Sequence, residues 1–160
     1  MSLIIRLAKP EEARKIAEIN IETWKVSYRG YIPDEILDTR AITEDSIKTR
    51  LDAISKNNIF VAEFNGEVVG YASITRNTET EAEIATFYIL PQYQRLGIGG
   101  ILLKEVLKNL KELNFKKVVI WTMKNFEQSN NFYKKYGGFP TGNVKEWRYD
   151  IDVVEFIFNL

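Results

Sequence analysis

The chain has 160 residues, 45% hydrophobic and 28% charged, with 22 basic residues against 22 acidic ones. That balance fits a folded domain rather than a disordered chain, and a net charge of zero supplies no global field for capturing nucleic acid or an anionic membrane. The absence of both Cys and His excludes disulfides, thiolate nucleophiles, Ser-His-Asp hydrolysis and His- or Cys-based metal sites, so no metal is expected. Acid–base chemistry is left to Glu, Asp, Tyr, Lys or water. The apolar runs are short of a membrane span and the start lacks the regions of a signal peptide, so the expected location is cytoplasmic.

In chain order, residues 3–7 form an apolar run that reads as a strand. Pro10 opens a helix, with Glu11 and Glu12 in the first turn where the helix dipole favours acids. Ala13, Ile16, Ala17 and Asn20 repeat at helical spacing up to Trp24. Residues 28–33 (Tyr-Arg-Gly-Tyr-Ile-Pro) break the pattern as a loop. Residues 34–37 and 44–55 read as helices, the second capped by Thr43 with Ser46 nearby. A strand over 59–64, the turn pair Asn65-Gly66 and a return strand over 68–74 predict a hairpin. The acidic stretch 79–83 reads as a turn, and 84–90 as a strand ending at Pro91. Residues 97–113 give the clearest helix, with Leu103, Val106, Leu107 and Leu110 on one face. A strand over 116–122, a helix over 127–136 stopped by Gly137-Gly138, and two closing strands over 144–149 and 153–158 complete the chain. The order β-α-α-β-β-β-α-β-α-β-β predicts an α/β (α+β) fold with a mixed sheet and helices on both faces.

The link from the strand over 84–90 to the helix over 97–113 carries the clearest chemistry. Its sequence is Gln94-Arg95-Leu96-Gly97-Ile98-Gly99-Gly100. Glycines let a backbone approach a ligand closely, and the first N–H groups of a helix favour an anion such as a diphosphate. A turn chosen only for tight strand–helix packing is equally compatible with the glycines alone. A Walker loop is excluded because Ile101 follows Gly100, and a dinucleotide fingerprint because position 102 is Leu102.

The run Gln94-Arg95-Leu96-Gly97-Ile98-Gly99 resembles the Q/R-x-x-G-x-G/A signature of the GCN5-related N-acetyltransferase (GNAT) superfamily. The lead-in Phe87-Tyr88-Ile89-Leu90-Pro91 resembles that family's strand. The downstream segment 125–139, with Asn125, Ser129, Phe132-Tyr133 and Gly138-Phe139, is similar to its N-x-x-x-A/S-x-x-F-Y-x-x-x-G-F pattern. Gly138 is an addition to the usual Gly-Phe ending. The resemblance covers nearly the whole chain and implies one N-acetyltransferase domain over residues 1–160. It implies the GNAT fold, a mostly antiparallel sheet of about seven strands splayed at the cofactor cleft.

The resemblance also implies roles. Acetyl-CoA is the cosubstrate. The backbone of Tyr88, Ile89 and Leu90 pairs with the pantetheine arm, and the Ile89 N–H polarises the thioester carbonyl. Gln94, Arg95, Leu96, Gly97, Ile98, Gly99 and Gly100 hold the diphosphate, and Asn125 contacts the cofactor. Tyr133 protonates the departing thiolate. From the residues alone, Phe132 and Tyr133 are the buried face of an amphipathic helix. Glu83 matches an acidic family position for a base acting through water, beside the alternative of a solvated turn charge; Glu22 is a second candidate.

The aromatic segment containing Trp24, Tyr28 and Tyr31 corresponds to the family's acceptor wall and suits a cationic or aromatic amine, with Asp34 and Glu35 as attractors of a polyamine. The plainer reading makes Trp24 core with Tyr28 packed over it. Trp147 and Tyr149 are open between completing the pocket and a dimer contact. The expected activity is direct acetyl transfer to a primary amine of a small molecule, since no acetyl-cysteine can form. The alternatives are a protein N-terminus or lysine as acceptor, or a non-catalytic acyl-CoA sensor. A homodimer is the family-level expectation.

Overall fold

The computed structural model describes residues 2–160, which divide into two compact units. One comprises residues 2–73 with Thr86–Val106, the other Ile74–Ala85 with Leu107–Leu160. Hydrogen-bonded strands follow the order β1-β2-β3-β4-β5-β7-β6, a seven-stranded sheet.

In the first unit, β1 (Leu3–Leu7) pairs antiparallel with β2 (Ile59–Phe64), from Leu3↔Phe64 to Leu7↔Phe60. Asn65 (φ 51°) and Gly66 (φ 87°) turn the chain into β3 (Glu67–Arg76). Two successive positive φ values are what a two-residue hairpin with native twist demands, and Asn-Gly is the pair that adopts them at least cost. After a 3₁₀ turn at Pro10–Glu12, α1 (Ala13–Ser27) buries Ala13, Ile16, Ala17, Ile19, Asn20, Thr23 and Trp24 on one face. Glu12 is tied to Arg6 at 2.6 Å, and that guanidinium holds its carboxyl below the usual range. The short α2 (Asp34–Thr39) precedes α3 (Glu44–Ser55). At the start of α3, Thr43 Oγ1 accepts from the Ser46 N–H and Ser46 Oγ accepts from the Thr43 N–H, both at 3.1 Å. The expected cap is present, and the three helical segments expected between β1 and β2 all form.

β4 (Glu81–Ile89) begins in the second unit, where it runs parallel to β5 (Lys117–Met123) from Glu81↔Lys117 to Ile84↔Ile120. The strand starts three residues before the expected position 84. Glu81 is drawn into the ladder by an ion pair with Lys117 (3.0 Å), and the turn proper is closed by the Asn77 N–H donating to the Glu81 carbonyl. Both strands run on past this register, β4 to Ile89 and β5 to Met123. β7 (Asp152–Asn159) pairs antiparallel with β5 along its length and with β6 (Phe139–Glu146). The expected strand over 144–149 is therefore corrected at both ends. Pro140 and Gly142 (φ 87°) hide its beginning, yet β6 ends the strand order, and an edge strand tolerates both a proline and a register shift. Its far end is cut at Glu146 by the turn in which Tyr149 (φ 56°) and Asp150 (φ 57°) are left-handed.

α4 (Ile98–Glu112) and α5 (Glu127–Lys135) are the remaining helices. The second glycine after α5 now has a reason. Gly137 (φ 95°) donates to Lys134 O at 3.2 Å and Gly138 to Tyr133 O at 2.7 Å, the two bonds of a Schellman stop. A Cβ at Gly138 would fall 2.7 Å from that same carbonyl oxygen and 3.0 Å from the Phe158 ring.

Candidate functional site

The end of β4 and the loop after it, both in the first unit, form a continuous backbone surface. The Leu90 N–H donates to Val69 O at 2.8 Å. Successive N–H groups of a strand point to opposite edges, so that of Ile89 faces away from β3. Gly70 lets β3 approach closely here: a Cβ would lie 2.8 Å from Tyr88 O and nearer still to the Ile89 side chain. After a 3₁₀ turn at Pro91–Tyr93, Gln94 reaches back, its Nε2 donating to Ile89 O at 2.8 Å. That bond ties the loop to the strand end.

Arg95 (φ 64°) and Gly97 (φ 84°) are both left-handed. Alternation of this kind gathers consecutive N–H groups into an anion-binding concavity. The first α4 bond runs from the Ile101 N–H to Gly97 O, which leaves the N–H groups of Ile98, Gly99 and Gly100 without intrahelical acceptors. Arg95 and Leu96 are exposed while Ile98 and Gly100 are buried, so the helix start is anchored and the loop presents its backbone to solvent. The local chemistry suits a diphosphate.

A second arrangement in the same unit is built from side chains. Trp24 is 4% exposed and its Nε1–H donates to the Tyr88 hydroxyl oxygen at 3.0 Å; the Tyr28 hydroxyl donates to the same oxygen at 3.5 Å. The Tyr71 ring lies 5.9 Å from that of Tyr88. Asn20 Nδ2 donates to the Tyr71 hydroxyl at 3.0 Å, and Arg40 Nη2 donates to Asn20 Oδ1. The Arg40 guanidinium carbon sits 3.7 Å from the centroid of the Trp24 ring. Burial pushes the Tyr88 hydroxyl well above the usual tyrosine range, with Tyr28 beside it the second cause. Tyr88 therefore stays protonated.

The structure brings Trp24, Tyr28 and Tyr88 together. Tyr31 is 42% exposed in the loop, and Asp34 engages Arg29 at 3.3 Å. Sequence reasoning missed Arg40, Asn20 and Tyr71. The available signal was Asn20, an amide on a largely apolar helix face, which needs a buried partner.

The remaining candidates lie in the second unit. Tyr133 is 6% exposed on α5, with ring centroids 6.0 Å from Phe156 and 6.5 Å from Phe158. Glu83 is inside β4 rather than in a turn, and its Oε1 accepts from Asn77 Nδ2 at 3.3 Å. Asn125 is exposed between β5 and α5, where Asn130 Nδ2 donates to Lys124 O at 3.0 Å and holds the turn. Trp147 and Tyr149 pack edge-on at 6.3 Å. Among the described residues no group of three or more His, Cys, Asp or Glu could hold a metal ion, and no helix is long and apolar enough to cross a membrane.

Comparison with known proteins decides the family. Residues 14–139 match the acetyltransferase (GNAT) family. The chain belongs to that family. This GNAT protein is 29% identical over 139 residues to the uncharacterized N-acetyltransferase YuaI of Bacillus subtilis, covering 82% of this chain and 78% of the relative. It is 25% identical over 143 residues to spermidine N(1)-acetyltransferase of Thermoplasma acidophilum, covering 86% and 88%. The crystal structure of PaiA N-acetyltransferase from Thermoplasma acidophilum in complex with coenzyme A has the same fold. Its TM-score is 0.82 at 22% identity, over 97% of this chain and 98% of that one. This GNAT protein is thus an acetyl-CoA-dependent N-acetyltransferase.

Proposed function

We propose that this acetyltransferase moves the acetyl group directly from acetyl-CoA to a primary amine of a small molecule, with residues 1–160 acting as one transferase domain. The observation that carries the reading is the backbone cradle at Arg95 and Gly97, which opens α4 with N–H groups suited to a diphosphate. Gln94, Arg95, Leu96, Gly97, Ile98, Gly99 and Gly100 hold that group, and Asn125 adds a polar contact to the cofactor. The backbone of Tyr88, Ile89 and Leu90 lies along the pantetheine arm. A small-molecule acceptor is supported by the relative whose name specifies spermidine. Trp24, Tyr28 and Tyr31 stand on the acceptor side.

In the reaction the amine nitrogen attacks the thioester carbonyl carbon. The Ile89 N–H donates to the oxygen as negative charge develops on it. The new C–N bond forms as the C–S bond breaks. The amine gives its proton to water, and through it to Glu83, while Tyr133 protonates the departing thiolate. A tyrosine of reference pKa about 10 is protonated at neutral pH and close enough to a thiol's about 8.5 for that transfer. The lack of Cys leaves no residue to carry an acetyl thioester, which supports direct transfer.

The test is CoA thiol release across a panel of amines, with wild type and Tyr133→Phe side by side. The variant is expected to lose about 10²- to 10⁴-fold in turnover, the range for a general acid, with acetyl-CoA affinity retained. Undiminished turnover would remove Tyr133 from the mechanism. Binding of acetyl-CoA without amine-dependent release, across protein as well as small-molecule amines, would make the chain a sensor.

A further inference from the structure

A cation of the chain itself sits where the aromatic pattern suggests a cationic ligand. The Arg40 guanidinium carbon is 3.7 Å from the Trp24 ring centroid, well inside the range of a cation–π contact. Arg40 is held there by its bond to Asn20 Oδ1, and Asn20 is held by its own bond to the Tyr71 hydroxyl. The polar edge of Trp24 is also committed, because Nε1–H donates to Tyr88. Displacing Arg40 would strand the Asn20 carbonyl oxygen in a residue only 6% exposed, which opposes exchange with a ligand cation.

We propose that Arg40 is a specificity-determining residue, a built-in cation on Trp24 that favours acceptors with one positive charge over acceptors with a second ammonium group. This rests on the reading that Trp24 and Tyr28 stand on the acceptor side. Like charges brought together in a partly desolvated site repel, so a second ammonium finds the aromatic face filled by its own kind. The open groove beside α1 reinforces the effect. Its lining includes Glu18, Ile21, Glu22, Lys25, Arg40 and Ile42. Two carboxylates there face two cations and cancel; without Arg40 the same lining carries one net negative charge. Removing the guanidinium therefore exposes an aromatic face and creates an acidic excess together, both of which attract a dication.

The experiment has a binding arm and a transfer arm, with butylamine and 1,4-diaminobutane as probes. In the binding arm each probe is titrated calorimetrically into wild type, Arg40→Met and Arg40→Lys without acetyl-CoA. Arg40→Met is expected to bind the diamine about tenfold more tightly than wild type, a change of one logarithmic unit in Kd. Arg40→Lys, which keeps the charge, is expected to stay with wild type. In the transfer arm, the ratio of kcat/KM for diamine over monoamine is expected to rise by a similar factor in Arg40→Met alone. Arg40→Met binding the diamine no more tightly than wild type overturns the proposal, as does an equal gain in Arg40→Lys. Failure of the transferase reading has a separate sign: acetyl-CoA does not bind the wild type, while the diamine titrations still decide the role of Arg40.

Discussion

Residues 94–100 offer their backbone and leave the side chains of Arg95 and Leu96 in solvent, whereas the cluster of Trp24, Tyr28, Tyr71 and Tyr88 offers side chains, with Trp24 and Tyr28 bonded to the Tyr88 hydroxyl and the Tyr71 ring beside that of Tyr88. Besides its φ values, the loop needs the Gln94 tie to Ile89 O and the buried Ile98, and it asks little of its exposed side chains. The cluster needs particular atoms and makes no unusual demand on φ. A backbone-built site is therefore sensitive at its left-handed positions and tolerant at its exposed side chains, and a side-chain-built one is sensitive at every member.

The largest effect should come from breaking the cluster. Trp24→Ala removes a nearly fully buried ring, its bond to Tyr88 and the seat of Arg40, and is expected to cost about 3–5 kcal/mol in urea unfolding. Loss of less than about 1 kcal/mol would mean that the cluster is not a structural unit. The second effect is one of pH. The Tyr88 pKa is raised in the folded protein by burial and by Tyr28. Its contribution to stability is complete below the unfolded tyrosine value of about 10 and is lost as pH rises from there through the folded value, at up to about 1.4 kcal/mol per pH unit. Tyr88→Phe should therefore lose stability less steeply than wild type above pH 10; parallel curves would contradict the assignment. The smallest effects belong to the loop. Gly97→Ala adds a Cβ that meets nothing within 4 Å, so the cost is that of a left-handed residue alone, about 1–2 kcal/mol. Leu96→Ala, 61% exposed, should change stability by less than about 0.5 kcal/mol. Equal costs at positions 96 and 97 would erase the distinction between backbone and side chain.

The same contrast explains what could be read before the structure. The bounds of β1, α3 and β2, the Thr43 cap and the Asn65-Gly66 turn depend on residues within a few positions of one another, so the signal is local. The loop motif was legible for the same reason. The start of β4 was not, because Glu81 joins the strand through Lys117, 36 positions further on. The beginning of β6 was hidden by Pro140 and Gly142, whose local signal says turn until the pairing with β7 overrides it. Arg40 was invisible as well: its partners Asn20 and Trp24 are 20 and 16 positions away, and no short pattern marks an arginine that will lie on a ring. Gly138 was legible only as an oddity, and became a requirement once the Tyr133 carbonyl and the Phe158 ring stood beside it.

The central claim is that the Arg95–Gly97 backbone receives the diphosphate of acetyl-CoA. Calorimetric titration of acetyl-CoA into wild type and Gly97→Glu tests it most directly. The account predicts saturable binding with Kd on the order of micromolar for wild type, and a loss of at least about 100-fold when a carboxylate is placed in the cradle. Equal affinity in the two proteins, or no binding by the wild type, would contradict it.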